Sequence, residues 1–146
     1  MSQISEFYLT LAKMIHPYFL DKDWYRIGQI FYDAEQSREE KIKYKNISEA
    51  LMCQHKSMSS NRNSLSRCHN AYKLLKKFNI KRSEVRGCHD LYVERVLSAH
   101  DKGWITRQDV TLLLRFRRQY YSGHPDHPGF FWPRKKKEDI LEILEI

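Results

Sequence analysis

The groups in this chain best suited to chemistry are its cysteine–histidine neighbours: Cys53 with His55, Cys68-His69 and Cys88-His89. Thiolate and imidazole together are what a tetrahedral zinc site takes. The spacing argues against one. Adjacent residues on a helix point about 100° apart, so Cys68 and His69 cannot easily share an ion. There is no C-x2-C pair, and Cys68 and Cys88 fall on apolar stripes, where a thiol acts as a small core hydrophobe. The cluster His124-Pro125-Asp126-His127 has acid–base groups, but its prolines hold it extended as a surface loop and no nucleophile accompanies it. His100-Asp101 precedes a turn at Gly103 and lacks a serine to complete a triad. From Gly103 to Asp109 the chain has the outline of half a calcium loop, yet Ser98, His100 and Lys102 stand where oxygen ligands belong, and only the serine could supply one. The sequence therefore predicts a non-enzymatic protein with no metal and no cofactor.

Polyanion binding is the chemistry the residues do favour. Across residues 73–88 the chain reads KLLKKFNIKRSEVRGC, where apolar spacing, a turn residue and dense positive charge coincide. The pattern predicts a helix-turn-helix. Leu74, Leu75 and Phe78 close a helix over 64–78, Asn79 takes a left-handed turn, Ile80 fills the corner, and Val85 and Cys88 anchor a recognition helix over 82–99. Lys81, Arg82, Ser83 and Arg86 would then enter a groove, with His89 and Asp90 one turn further on. Lys73, Lys76 and Lys77 would hold phosphates from the preceding helix, with Arg62 and Arg67 adding backbone contacts. Leu75 and Asn79 stand where many such motifs carry a small residue and a glycine, and a plain helix–helix corner in a bundle uses the same turn chemistry.

Other helices must position that unit. Phe7, Leu11, Met14 and Ile15 form one stripe over 4–20, with Pro17 kinking or ending it. Trp24, Ile27, Phe31 and Ala34 form the next, running into a charged stretch over 35–45 that reads as a solvated helix end, with Glu39 facing Lys43. Asn46-Ile47-Ser48-Glu49 reads as a cap before a short helix bearing Ile47, Ala50 and Leu51, and residues 57–64 as a polar loop. Leu65, Cys68, Tyr72 and Leu75 face inward on the helix over 64–78. Thr106 to Asp109 form a capping box flanked by Ile105 and Val110, starting a helix that turns Val110, Leu113, Leu114 and Tyr121 inward.

Scarce glycine and proline favour helices, and 146 residues suffice for one domain without staples. The fold expected is an all-α single-domain bundle of about six helices: an acidic helical pair over 1–45, a basic helix-turn-helix-like tri-helical unit over 46–100, a closing helix and loop over 101–133, and a tail over 134–146. Of the net charge of +8, residues 1–40 carry −3, residues 41–100 carry +9 and residues 101–146 carry +2. A basic segment of this kind points to nucleic acid, with duplex DNA favoured over RNA, in a small regulator or an accessory factor of replication or packaging. A palindromic target would require a homodimer. Three cysteines and an N-terminus without a basic, apolar leader predict a reducing compartment, cytoplasmic or, in a eukaryote, nuclear; no stretch approaches the ~20 apolar residues of a membrane span. The rival expectation is an inhibitor or adaptor that docks on a protein. It would use the basic face or the apolar tail, where Ile140, Leu141, Ile143, Leu144 and Ile146 follow Arg134-Lys135-Lys136-Lys137 and must pack back on the domain, pair with another copy or fill a partner's groove.

Overall fold

The computed structural model describes residues 5–54 and 62–120, except for the side chains of residues 62, 63 and 116–120. It is all-helical, as expected, and no strand occurs among the described residues. The elements are α1 (Glu6–Leu20), α2 (Trp24–Arg38), α3 (Tyr44–Gln54), α4 (Arg62–Lys77), a 3-10 turn (Arg82–Val85), α5 (Asp90–Asp101) and α6 (Arg107–Tyr120). The chain divides into two compact units, one ending at Lys73 and the other beginning at Leu74. Of the polar loop expected over 57–64, residues 57–61 lie outside the described residues, whereas 62–64 already belong to α4; everything beyond Tyr120, including Tyr121, the His124–His127 cluster and the tail, also lies outside them.

In the first unit, the Ser5 hydroxyl caps α1 by accepting the Tyr8 N–H, and Leu11, Ala12 and Ile15 form its buried stripe. Met14, expected inward, is 51% exposed. The helix continues past Pro17 to Leu20, because proline removes only one ladder donor and the last turn is closed from outside. Asp23 caps α2, which buries Ile27, Gly28 and Phe31. That helix ends when Glu39 turns left-handed (φ 58°), so Glu39 and Lys43 do not share a helical face. Tyr44 begins α3, two residues before the expected cap; Asn46 is therefore interior, while Ile47, Ala50 and Leu51 are fully buried as their spacing predicts. Leu65, Cys68 and Tyr72 of α4 are also buried.

The second unit buries Leu75, Ile80, Val85, Tyr92, Val93, Val96 and Leu97, with Val110, Leu113 and Leu114 of α6. Asn79 adopts the left-handed conformation (φ 54°) predicted for it. The Ile80 N–H returns 2.9 Å to the Leu75 carbonyl and the Asn79 N–H 3.3 Å to that of Lys76, the double closure that satisfies a helix's last acceptors. Replacing Asn79 with alanine is expected to cost about 1 kcal/mol, the left-handed penalty of a β-carbon without a compensating amide. Glycine should be tolerated there, and chemical denaturation of both variants checks the pair.

One element departs from expectation. Residues 82–99 do not form a single helix: Arg82–Val85 make one 3-10 turn, Gly87 adopts φ 82°, and α5 begins only at Asp90. A left-handed residue cannot sit inside a right-handed helix, so Gly87 breaks the run. The recognition helix expected over 82–99 is therefore not continuous: its first half is a turn, and only α5 is helical.

Candidate nucleic-acid interface

The residues predicted to meet a polyanion separate into three groups. Lys81, Arg82, Ser83 and Arg86 are all exposed and sit together on and beside the 3-10 turn. Arg107 holds this turn to α6. Its guanidinium donates from Nη2 to Glu84 Oε1 at 3.1 Å and from Nη1 to Thr111 Oγ1 at 2.8 Å, while Glu84 Oε2 accepts the Lys81 N–H at 2.9 Å. Partial burial pushes the Glu84 carboxyl upward, but the Lys81 N–H and the Arg107 guanidinium outweigh it and leave the group below its ordinary value. Its charge is thus matched locally. Beside it lies a cleft of about 360 Å3 lined by Ser83, Glu84, Thr111, Leu114 and Arg115. The sequence does not single out Arg107 or Arg115; the available signal is a basic residue at the start and on the outward side of a helix that its capping box marks.

A second group is engaged elsewhere. Lys73 Nζ lies 3.8 Å from Glu35 Oε1, and Lys77 pairs with Asp101. Arg67 donates to Ser64 Oγ at 3.3 Å. His89 caps α5 rather than riding on a recognition helix: its Nδ1 stands 3.2 Å from the Leu91 amide and 2.7 Å from Asp90 Oδ1, accepting the first when neutral and donating to the second when protonated. The third group is Lys76, exposed on the last turn of α4, and Arg62, whose side chain is outside the described set.

Electrostatics favour the second unit. Among its described side chains seven cations are exposed (Lys76, Lys77, Lys81, Arg82, Arg86, Lys102 and Arg115), against one exposed carboxylate, Asp101, which Lys77 already neutralises. Among the less exposed acids, Asp109 serves local structure by accepting the Thr106 N–H at 2.9 Å in the predicted capping box. Lys102 covers the Trp104 ring at 4.6 Å.

Of the cysteine–histidine neighbours, His55 lies outside the described residues, and the others take separate roles. Cys68 is core, the Cys88 thiol faces the Leu114 carbonyl at 3.6 Å, and Cys53 is exposed. No group of three His, Cys, Asp or Glu positioned for a metal occurs among the described residues. His100 Nδ1 donates at 3.0 Å to the Ile105 carbonyl and its ring packs at a tilt against Phe78, so it ends α5 instead of facing a nucleophile.

His69 has no exposed surface, a placement that no short motif announces. Its Nδ1 is 2.7 Å from the Tyr44 hydroxyl, and its Nε2 lies 3.3 Å from Glu35 Oε1, out of line for a hydrogen bond. Glu35 Oε2 also accepts the Ile42 N–H at 2.7 Å, so this carboxylate, expected on a solvated helix end, ties α2 to the next loop. Burial, reinforced by the nearby Glu35 charge, pushes the Tyr44 hydroxyl up to about 12, so it stays protonated and donates to Nδ1. Burial and the Lys73 cation push His69 down to about 4 against the opposing pull of Glu35. The hydroxyl, imidazole and carboxylate are arranged like an acid–base relay, but the imidazole is sealed from solvent, and the network joins α2, α3 and α4.

No helix among the described residues is long and apolar enough to cross a membrane. No family model matches the chain, and neither a curated protein nor a solved structure gives a match.

Proposed function

We propose that this chain binds nucleic acid through the phosphates, using the exposed basic surface of its second unit, with duplex DNA as the favoured target. The observation that carries the reading is the imbalance of exposed charge: seven cations against a single, already paired carboxylate. Lys81, Arg82 and Arg86 supply donors at the 3-10 turn, Ser83 and Arg115 line the adjoining cleft, and Arg107 keeps Glu84 occupied. Because Lys81, Arg82 and Arg86 do not ride on an α-helix that could enter a groove, these groups suit the backbone rather than base edges. The role that follows is an accessory factor of low sequence preference.

The test is fluorescence-anisotropy binding to random duplex DNA, single-stranded DNA and RNA over a salt series. Arg82→Ala/Arg86→Ala should weaken binding and flatten the log–log salt slope on duplex DNA by up to about 2, at ~0.9 per phosphate contact. Lys13→Ala/Lys41→Ala, which removes equal charge from exposed positions of the first unit, should leave the slope in place. Equal weakening by both pairs, or no binding at low salt, would overturn the assignment.

A further inference from the structure

The first unit carries a different kind of surface. A groove of about 610 Å3 runs along α1 and α2, floored by Phe7, Leu11, Met14, Ile30 and Ala34. Its lining on α1 recurs at positions 7, 11 and 14, two turns of one stripe, and so extends about 10 Å along the helix at 1.5 Å per residue. Met14 is half-exposed, and methionine is an unbranched side chain that re-packs around varied apolar partners. The polar members of the lining are Glu6, Thr10 and Asp33. Both charged ones are carboxylates and both are exposed.

We infer that this groove is a docking site for a basic amphipathic helix of a partner protein. An apolar floor two helical turns long accepts anchors at i, i+4 and i+7, the pattern of helix-in-groove recognition. The carboxylates at its edge select the flanking charge, because Lys or Arg beside the apolar anchors would pair with Glu6 and Asp33, whereas an acidic helix would meet like charge. The N-terminal forty residues, which supply the whole lining, carry a net charge of −3 within a chain of net charge +8. The chain's own C-terminal segment has no net charge to offer the groove, since residues 134–146 contain four bases and four acids. This inference is independent of nucleic-acid binding and uses none of its residues.

The probe is a fluorescein-labelled, amidated 14-residue Leu/Lys peptide patterned as an amphipathic helix, titrated with the full chain at 150 mM salt. Saturable one-to-one binding is expected. Met14→Lys and Asp33→Lys should each weaken it at least tenfold, while Leu112→Lys, at an exposed apolar position of the second unit, should change it less than twofold. Circular dichroism of each variant separates loss of the groove from loss of the fold. Three results would overturn the inference: no saturable binding, equal weakening by all three substitutions, or a wild-type dimer that Met14→Lys dissociates, which would assign the groove to a second copy of the chain.

Discussion

Gly28→Ala is expected to destabilise the chain by about 2–3 kcal/mol, although in an exposed helix the same change stabilises by about 1 kcal/mol. Gly28 sits mid-way along α2, buried against α4. A β-carbon there would lie 2.4 Å from the Cys68 carbonyl oxygen and 2.7 Å from Tyr72 Cβ. Neither atom belongs to the free end of a flexible side chain, so relief requires the two helices to part. Parting them would loosen the edge-to-face contacts that Tyr72 makes with Tyr25 and Tyr32, whose ring centroids are 5.2 and 5.4 Å away. Close-packed interiors do not absorb such a shift locally. Urea denaturation measures the change, and a neutral or stabilising result would show that α2 and α4 do not meet at Gly28.

Acidification should give the second large effect. His69 titrates at about 4 in the folded chain, against an ordinary value near 6.5 when unfolded. Above pH 6.5 both states hold it neutral and it contributes no pH dependence. As the pH falls below 6.5 the unfolded chain takes up a proton that the folded chain refuses, so stability declines by about 1.4 kcal/mol per pH unit until the folded imidazole also protonates near 4. The full span corresponds to about 3 kcal/mol. The groups facing His69 are Glu35 on α2, Tyr44 on α3 and Lys73 on α4, and Lys73 adds to the penalty that Glu35 offsets. In His69→Gln, which keeps a polar group opposite Tyr44, the decline between pH 6.5 and 4.5 should be largely gone. A wild-type stability flat over that interval would contradict the placement of His69.

The core was largely legible in the sequence. Apolar residues at helical spacing placed α1, α2, α4 and α6, and Thr106 with Asp109 marked the start of α6 because a capping box is a local device. Asn79 was legible for the same reason. Lys22 and Glu39 were not: they take left-handed positions at helix ends (φ 57° and 58°) that tertiary closure imposes, and their residue types carry no such signal. The extent of the recognition helix was misread because charge and apolar spacing outweighed Gly87, whose helix-breaking effect was available in the sequence. Glu35 and His69 illustrate the other limit, since a charged stretch and an isolated histidine look solvated until neighbouring helices enclose them.

Arg82 and its neighbours have a further property. A helix fixes the spacing of its side chains through a continuous ladder, whereas the segment from Lys81 to His89 is shaped by short closures, Lys81 to Glu84 and Val85 to Cys88, and by contacts to α6 through the Arg107 guanidinium and the Cys88 thiol. Its donors are therefore not set at a 5.4 Å pitch. Under the proposed reading, a cationic surface without that regular pitch would answer to a polyanion's linear charge density more than to the width of a groove.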